Sequence, residues 1–186
     1  MTDVNKAGMR RFVTYVDAGG KSRFGPSDDA PCVSEFQATP GMRSSVIWTM
    51  AQPPVLPSGP EDPVPGMTSQ YPDPGGNVFL VLTLPPMSIY ADENFDFAAA
   101  VSEHARLSPG IAERMEADAP GFHTTQTIDY VILLTGELWL VLDDEERRLV
   151  PGDTVVQIGA RHAWQNRSNE PATFAVVLMG AGNRQA

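Results

Sequence analysis

The feature that most constrains the fold of this chain is a series of short strands between residues 121 and 180. Segments rich in Val, Ile, Leu and Trp alternate there with turns built from Gly, Pro, Asn and Asp. This alternation is typical of antiparallel strands in a sandwich or a barrel. The sequence therefore predicts an all-β fold. The predicted strands of this block are 128–134, 137–143, 145–150, 154–158, 162–167 and 173–179.

Two histidines of this block are distant in sequence but can meet inside a barrel. Side chains two apart along a strand share a face, so Thr125, Thr127 and Asp129 are expected to face the same way as His123. His162 can join them from a later strand. We therefore predict a pocket around His123, Asp129 and His162, with the two threonines lining it and orienting its groups by hydrogen bonds.

The residues around His162 provide further candidates. Trp164 and Asn166 continue the predicted face of His162. Trp164 is expected either to wall a substrate pocket or to pack in the core. Asn166 is expected either to line the pocket or to end the strand by bonding the backbone. Arg161 stands at a turn, where it is either solvated or able to reach an anionic ligand.

The arrangement around His123 resembles the first motif of the cupin superfamily, whose members are small double-stranded jelly rolls. His123 stands at the first histidine of that motif, Asp129 at its acidic position and Gly136 at its closing glycine. Thr125 occupies the position of the second histidine, which is a departure from the family pattern.

The second cupin motif is also recognisable, with Gln157 in place of its internal proline. It is matched by Pro151-Gly152-Asp153, Gly159, His162 and Asn166. The block resembles small single-domain cupins of the conserved-barrel (cupin-2, RmlC-like) type. The resemblance implies a double-stranded β-helix, a jelly-roll barrel, over residues 77–180, with the two motifs in 121–166.

The chain upstream of the barrel is expected to belong to the same domain, 1–186. Residues 1–76 contain predicted strands at 12–17, 32–36 and 44–50, followed by a loop with eight prolines between 51 and 76. We expect this N-terminal extension to cover the barrel. One or two short helices are predicted before His123. The first spans 95–107 and carries a solvated His104, and the second is capped by Ser108 and reaches Glu116.

Composition limits the partners of the protein. The net charge of −10, from 13 basic and 23 acidic side chains, argues against nucleic acid. No stretch approaches the roughly 18 apolar residues of a membrane span, and the N-terminal residues have no apolar core for a signal peptide. Cys32 is the single cysteine, so no disulfide can form within the chain. We expect a cytoplasmic protein that binds a small molecule.

The chemistry of the predicted pocket leaves three alternatives open. His123, Asp129 and His162 can hold a divalent metal such as Fe, Zn, Mn or Ni and leave positions for a ligand, which suits an oxygenase or a lyase/isomerase. The same residues can transfer protons without a metal. The barrel can also serve as a ligand cup without catalysis. The substrate is not identified by the sequence.

A homodimer is expected from the second apolar face of the barrel strands. Tyr130 and Leu138 lie on strands that are apolar on both sides. A face that does not fill the barrel must be covered by further chain or by a partner subunit.

Overall fold

The computed structural model describes residues 9–25, 29–56 and 58–182, and two antiparallel sheets form its framework. In chain order the strands are β1 (Thr14–Val16), β2 (Ser22–Phe24), β3 (Cys32–Glu35), β4 (Arg43–Met50), β5 (Asn77–Leu84), β6 (Thr127–Thr135), β7 (Leu138–Val141), β8 (Glu146–Leu149), β9 (Thr154–Ile158), β10 (Ala163–Gln165) and β11 (Ala172–Gly180). The larger sheet has the order β3-β4-β5-β11-β6-β9, and the smaller has the order β10-β7-β8. β1 and β2 form a separate hairpin.

The predicted all-β class is confirmed, and every strand of the 121–180 block lies where the sequence placed it. In that block, all of which is described, only β7 and β8 form a hairpin between consecutive strands. The other connections cross from one sheet to the other. This crossing pattern is that of a jelly roll rather than of a continuous meander.

The core lies between the two sheets and follows from the alternation of β6 and β11. Side chains of β6 alternate between buried and exposed from Thr127 to Leu133, and β11 repeats the same pattern. Leu133, Leu138 and Phe174 meet in the centre and are less than 2% exposed. Full burial of an apolar side chain of this size contributes about 1.5–3 kcal/mol.

The N-terminal extension does more than cover the barrel, because two of its strands are part of the larger sheet. β3 and β4 extend the larger sheet beside β5, and Val46 of β4 belongs to the core. Val64, from a 3-10 turn in the Pro-rich loop, is also buried in the core. Residues 1–8, which carry most of the segment in which no signal peptide was found, lie outside the described residues.

One of the two predicted helices forms. The helix α1 (Phe97–Leu107) begins at Asp96, whose carboxylate accepts a hydrogen bond from the backbone N–H of Ala99. The predicted second helix is wrong: Ser108 instead ends α1, and Gly110 adopts a left-handed conformation with φ of 87°. Only the 3-10 turn Ala112–Arg114 follows. Among the described residues, no helix is long and apolar enough to cross a membrane.

Candidate functional site

The structure brings the two motif histidines into direct contact. His123 and His162 form an isolated antiparallel bridge, and each backbone N–H donates to the carbonyl of the other at 3.0 Å. Their ring centroids are 4.3 Å apart. Both side chains are buried, and His162 is only 2% exposed. The predicted meeting of the two residues inside the barrel is thus what the backbone pairing produces.

Each ring of this pair is held in one orientation by a backbone carbonyl. The Nδ1 of His123 lies 3.1 Å from the carbonyl oxygen of Gly121, and that of His162 lies 2.9 Å from the oxygen of Ala160. A carbonyl oxygen only accepts, so each Nδ1 carries the hydrogen and each Nε2 keeps a lone pair. Burial lowers the pKa of both imidazoles, that of His162 to about 4. Both rings are therefore neutral near pH 7.

Asp129 lies on the same buried side of the chain but does not join the histidines. It is 4% exposed, and its Oδ1 has no hydrogen-bond partner among the described residues. Burial raises the pKa of this carboxyl to about 6, against the opposing effect of a hydrogen bond from Thr127. The hydroxyl oxygens of Thr127 and Thr125 are hydrogen-bonded to each other at 2.9 Å, and both threonines are buried. A buried carboxyl with one oxygen left unpaired is costly and calls for a role.

Gln157 is the strand partner of Asp129 and bonds to the turn that carries His162, although the sequence marked it only as a departure from the cupin motif. It is buried and lies directly opposite Asp129 on β9. Its Nε2 donates to the carbonyl oxygen of Ala160 at 2.9 Å, which is the oxygen that anchors His162. The glutamine thereby fixes the turn that orients the His162 ring.

Trp164 lies between His162 and the core, and Asn166 lies at the end of its strand. The Trp164 ring stands edge-on to His162, with centroids 5.7 Å apart, and also contacts Phe174 of the core. The side-chain amide of Asn166 bonds the backbone: its Nδ2 donates to the carbonyl oxygens of Leu84 and Glu170. This is the strand-ending alternative. A part for either residue in lining a pocket stays a prediction.

The donor set fits a metal ion only through its two nitrogens. Within residues 9–25, 29–56 and 58–182, no group of three or more His, Cys, Asp or Glu side chains is close enough to hold a metal ion. His123 and His162 present two Nε2 atoms, and Asp129 does not complete a group with them. Metal ligation by these three residues stays a prediction.

His104 is a neighbour of the pair that sequence reasoning left on a solvated surface. Its ring packs edge-on against Phe36 at 5.6 Å, and its pKa is lowered first by burial and then by the charge of His123. A helical signal for this position existed: the partly buried residues of α1 follow the spacing i, i+3, i+4, i+7. They are Ala100, Glu103, His104 and Leu107.

A cavity of about 430 Å³ lies away from the histidines, on the outer face of the larger sheet. Tyr130, Ile132 and Val156 are among its lining residues, none of which is charged. It is therefore a property of the uncovered sheet face rather than of the site.

No family model matches the chain, but several curated proteins do. Oryzines biosynthesis cluster protein J of Aspergillus oryzae is 32% identical over 136 residues, which cover 63% of this chain and 76% of that protein. Phomopsin biosynthesis cluster protein C' of Diaporthe leptostromiformis is 50% identical over 48 residues, and the match spans about a quarter of each chain (25% and 25%). A cupin-domain-containing oxidoreductase of Aspergillus ruber is 27% identical over 111 residues, or 55% of each chain.

Solved structures with a similar fold include two bacterial cupins. A sugar phosphate isomerase from a cupin superfamily of Silicibacter pomeroyi has a TM-score of 0.41 at 18% identity and covers 93% of this chain and 71% of that one. A cupin 2 conserved barrel domain protein of Salinispora arenicola has a TM-score of 0.40 at 17% identity, with coverages of 75% and 76%. The identity to the A. oryzae protein and the jelly-roll barrel with its paired motif histidines show that this chain belongs to the family of oryzines biosynthesis cluster protein J, within the cupin superfamily.

Proposed function

We propose that this cupin is a small-molecule enzyme of the lyase or isomerase class that works by proton transfer at the buried histidine pair. The observation that carries the proposal is the contact of the His123 and His162 rings at 4.3 Å, each with its Nδ1 held by a backbone carbonyl. A general base needs a free lone pair in a fixed direction. The anchoring supplies one on each Nε2.

Asp129 supplies the complementary acid in this proposal. Burial lowers the pKa of His162 to about 4 and raises that of Asp129 to about 6. A neutral imidazole and a protonated carboxyl therefore coexist around pH 5, and environments that separate two pKa values in this way assign acid and base roles. A histidine Nε2 takes a proton from the ligand, and Asp129 returns one at another ligand atom.

A metal is not assigned a step in this reaction. The described donors do not make a centre of three protein ligands, because Asp129 stands outside any such group with the histidines. The Thr125 hydroxyl stands at the position of the missing motif histidine. A neutral hydroxyl is a poor metal ligand, and this one is already hydrogen-bonded to Thr127.

A metal-dependent oxygenase or oxidoreductase is the second candidate, favoured by the anchored rings. A histidine that binds a metal through Nε2 usually donates its Nδ1 hydrogen to a carbonyl or a carboxylate, as both rings do here. Fe, Zn, Mn or Ni on the two nitrogens would supply Lewis-acid or redox chemistry. The A. ruber relative named as an oxidoreductase adds support.

Solvent-hydrogen exchange tests the first candidate without knowledge of the substrate. The purified protein is incubated in D₂O with a small-molecule extract of its source cells, and mass spectrometry follows deuterium entering carbon positions. We expect one compound to gain deuterium with the wild type and the rate to fall about 10²–10⁴-fold in His162→Gln, the usual contribution of a general base. His104→Gln is the matched control and should retain most of the rate.

Two outcomes would count against proton transfer. Exchange at the wild-type rate in both His162→Gln and His123→Gln would remove the pair from the reaction. Retention of a small molecule by the protein with no exchange at all would favour the third alternative, a ligand-binding cupin.

The partners and the location remain proposals of the same kind. The net charge of −10 supports a small-molecule partner over nucleic acid. The biosynthesis-cluster names of the relatives support a role in small-molecule biosynthesis. We propose a cytoplasmic location because the lone Cys32 suits a reducing compartment.

A further inference from the structure

One guanidinium at the barrel mouth joins three separate segments of the chain. Arg161 donates from Nε and Nη2 to the two carboxylate oxygens of Glu116, at 2.7 and 2.6 Å. Its Nη1 donates to Asp143 at 2.8 Å, in the turn between β7 and β8. Arg161 therefore directs three of its five N–H groups at carboxylates, which compete with any anionic ligand at the rim.

Arg161 contacts the hairpin formed by residues 115–123, which ends at His123. Met115 pairs with His123 in an antiparallel bridge, and the backbone N–H of Glu116 donates to the carbonyl of Phe122 at 2.9 Å. The guanidinium bonds Glu116 on one arm of this hairpin and lies over the Phe122 ring of the other arm, 4.1 Å from its centroid. Both arms are thus fixed to the same side chain.

Arg161 is also the immediate neighbour of His162 in the chain. The hairpin carries His123, and the backbones of the two histidines are bonded to each other at 3.0 Å. We propose that Arg161 is a positioning residue for the histidine pair: its two-pronged bond to Glu116 and its contact with Phe122 hold the His123 hairpin against the turn that carries His162. The positioning role rests on the proposed function of the histidine pair, but the spacing of the two rings can be tested without turnover.

The physical effect of this clamp is geometric more than energetic. The side chains of Arg161 and Glu116 are 32% and 29% exposed, and that of Asp143 is 65% exposed. Pairs so open to water contribute little to global stability. A planar guanidinium that meets a carboxylate with two parallel bonds nevertheless fixes direction, which a lysine cannot do. Loss of Arg161 should therefore loosen the mouth and leave the barrel folded.

The test measures how readily the two imidazoles react with diethyl pyrocarbonate, which attacks the free Nε2 of a neutral histidine. Peptide mapping by mass spectrometry gives the rate at each of the three histidines. We expect Arg161→Met to raise the rate at His123 and His162 about tenfold, which corresponds to about 1.4 kcal/mol. Arg148→Met is the matched control, because Arg148 pairs with Glu137 rather than with a segment that carries a histidine.

Imidazole ¹⁵N spectra and core amide exchange separate positioning from general loss of structure. In Arg161→Met we expect the Nδ1–H signals of His123 and His162 to broaden while the core amides of β6 and β11 keep their protection. Arg161→Lys should remain several-fold more reactive than the wild type. Unchanged reactivity in Arg161→Met, full restoration by Arg161→Lys, or an equal rise in Arg148→Met would each overturn the inference. None of these outcomes depends on whether the protein transfers protons.

Discussion

At the scale of single residues, Asp129 is a carboxyl whose ionised form is disfavoured by burial. Its carboxyl is 4% exposed, and its Oδ1 has no hydrogen-bond partner among the described residues. Because burial raises its pKa to about 6 from about 3.9 in an unfolded chain, the folded protein holds more protons between those pH values. The contribution of Asp129 to stability therefore falls as the pH rises from about 4 to about 6.

Asp129→Asn should stabilise the protein at pH 7, because an amide of similar shape carries no charge to desolvate. A difference of about two pKa units corresponds to about 2–3 kcal/mol, and the gain should shrink toward pH 4, where the wild-type carboxyl is protonated. Urea unfolding of both proteins at pH 4, 5.5 and 7 gives these free energies. A variant that is less stable than the wild type at pH 7 would show that a cation or a donor compensates the carboxylate.

The histidines act on stability with the opposite sign. Burial lowers the pKa of His162 to about 4, below the value of about 6.5 in an unfolded chain. The folded protein then loses stability as the pH falls from about 6.5 toward 4. Asp129→Asn removes the opposing effect of the carboxyl, while the histidines and the paired carboxyls with lowered pKa values, such as Glu116, remain, so its stability should rise with pH over the same range.

Residue patterns in the sequence located the faces of these side chains but not all of their contacts. Period-two counting placed Thr125, Thr127 and Asp129 on the buried side, as observed. It did not show that Asp129 stands apart from the histidine pair. Six residues of extended chain span up to roughly 20 Å, so a shared face does not imply contact. Contact between His123 and His162 required the backbone bridge, which pairs residues 39 positions apart.

At the scale of elements, the turn between β6 and β7 depends on a single glycine. Gly136 has φ of 79°, and a Cβ there would lie 2.6 Å from the carbonyl oxygen of Pro171 and 2.7 Å from the Cα of Ala172. Both are backbone atoms of the segment that leads into β11, so they cannot move aside cheaply. The closing glycine of the first cupin motif is therefore required by packing as well as by its backbone conformation.

Gly136→Ala should destabilise the protein much more than Gly152→Ala. Gly152 has φ of 96°, but nothing lies within 4 Å of its added Cβ, so only the left-handed backbone is penalised, by about 1–2 kcal/mol. At Gly136 the clash adds about 1–3 kcal/mol. Urea unfolding of the two variants compares them directly. Equal losses of stability would show that the backbone near Pro171 shifts enough to relieve the clash with the added Cβ.

Element boundaries were predictable from alternation and turns, whereas the second helix was not. The strand β9 begins and ends where the sequence predicted. The Ser108-Pro109 start signal suggested a helix up to Glu116, but the backbone N–H of Ser108 caps α1 through the carbonyl of His104. Gly110 then takes a left-handed conformation. Ser108 cannot begin a second helix here because it already ends α1.

At the scale of the whole molecule, the outer face of the larger sheet remains apolar and exposed. Its exposed fractions run from 37% to 70%, and the shallow cavity of about 430 Å³ lies within it. The residues concerned are Ile128, Tyr130, Ile132, Val156 and Ile158. An uncharged face of this kind is typical of a surface that another protein covers, which supports the proposed homodimer. A standard interface buries about 800 Å² on each partner.

Ile158→Lys should convert the dimer to a monomer, because it places a charge within the proposed apolar interface. Val101→Lys, on the similarly exposed surface of α1, is the matched control and should leave the dimer intact. Static light scattering at micromolar concentration gives the mass of each. A monomeric wild type would contradict the prediction outright, and a dimeric Ile158→Lys would move the interface elsewhere.

The central claim for the molecule is that its histidine pair acts as a base rather than as a metal centre. Metal content tests this claim most directly, measured on protein purified without chelator and without affinity-tag nickel. We expect the wild type to carry no stoichiometric Fe, Zn, Mn or Ni. Thr125→His restores the motif histidine between His123 and Asp129 and should create a metal site where none existed. A wild type that holds one equivalent of metal, and loses it in His123→Ala or His162→Ala while remaining folded, would contradict the account.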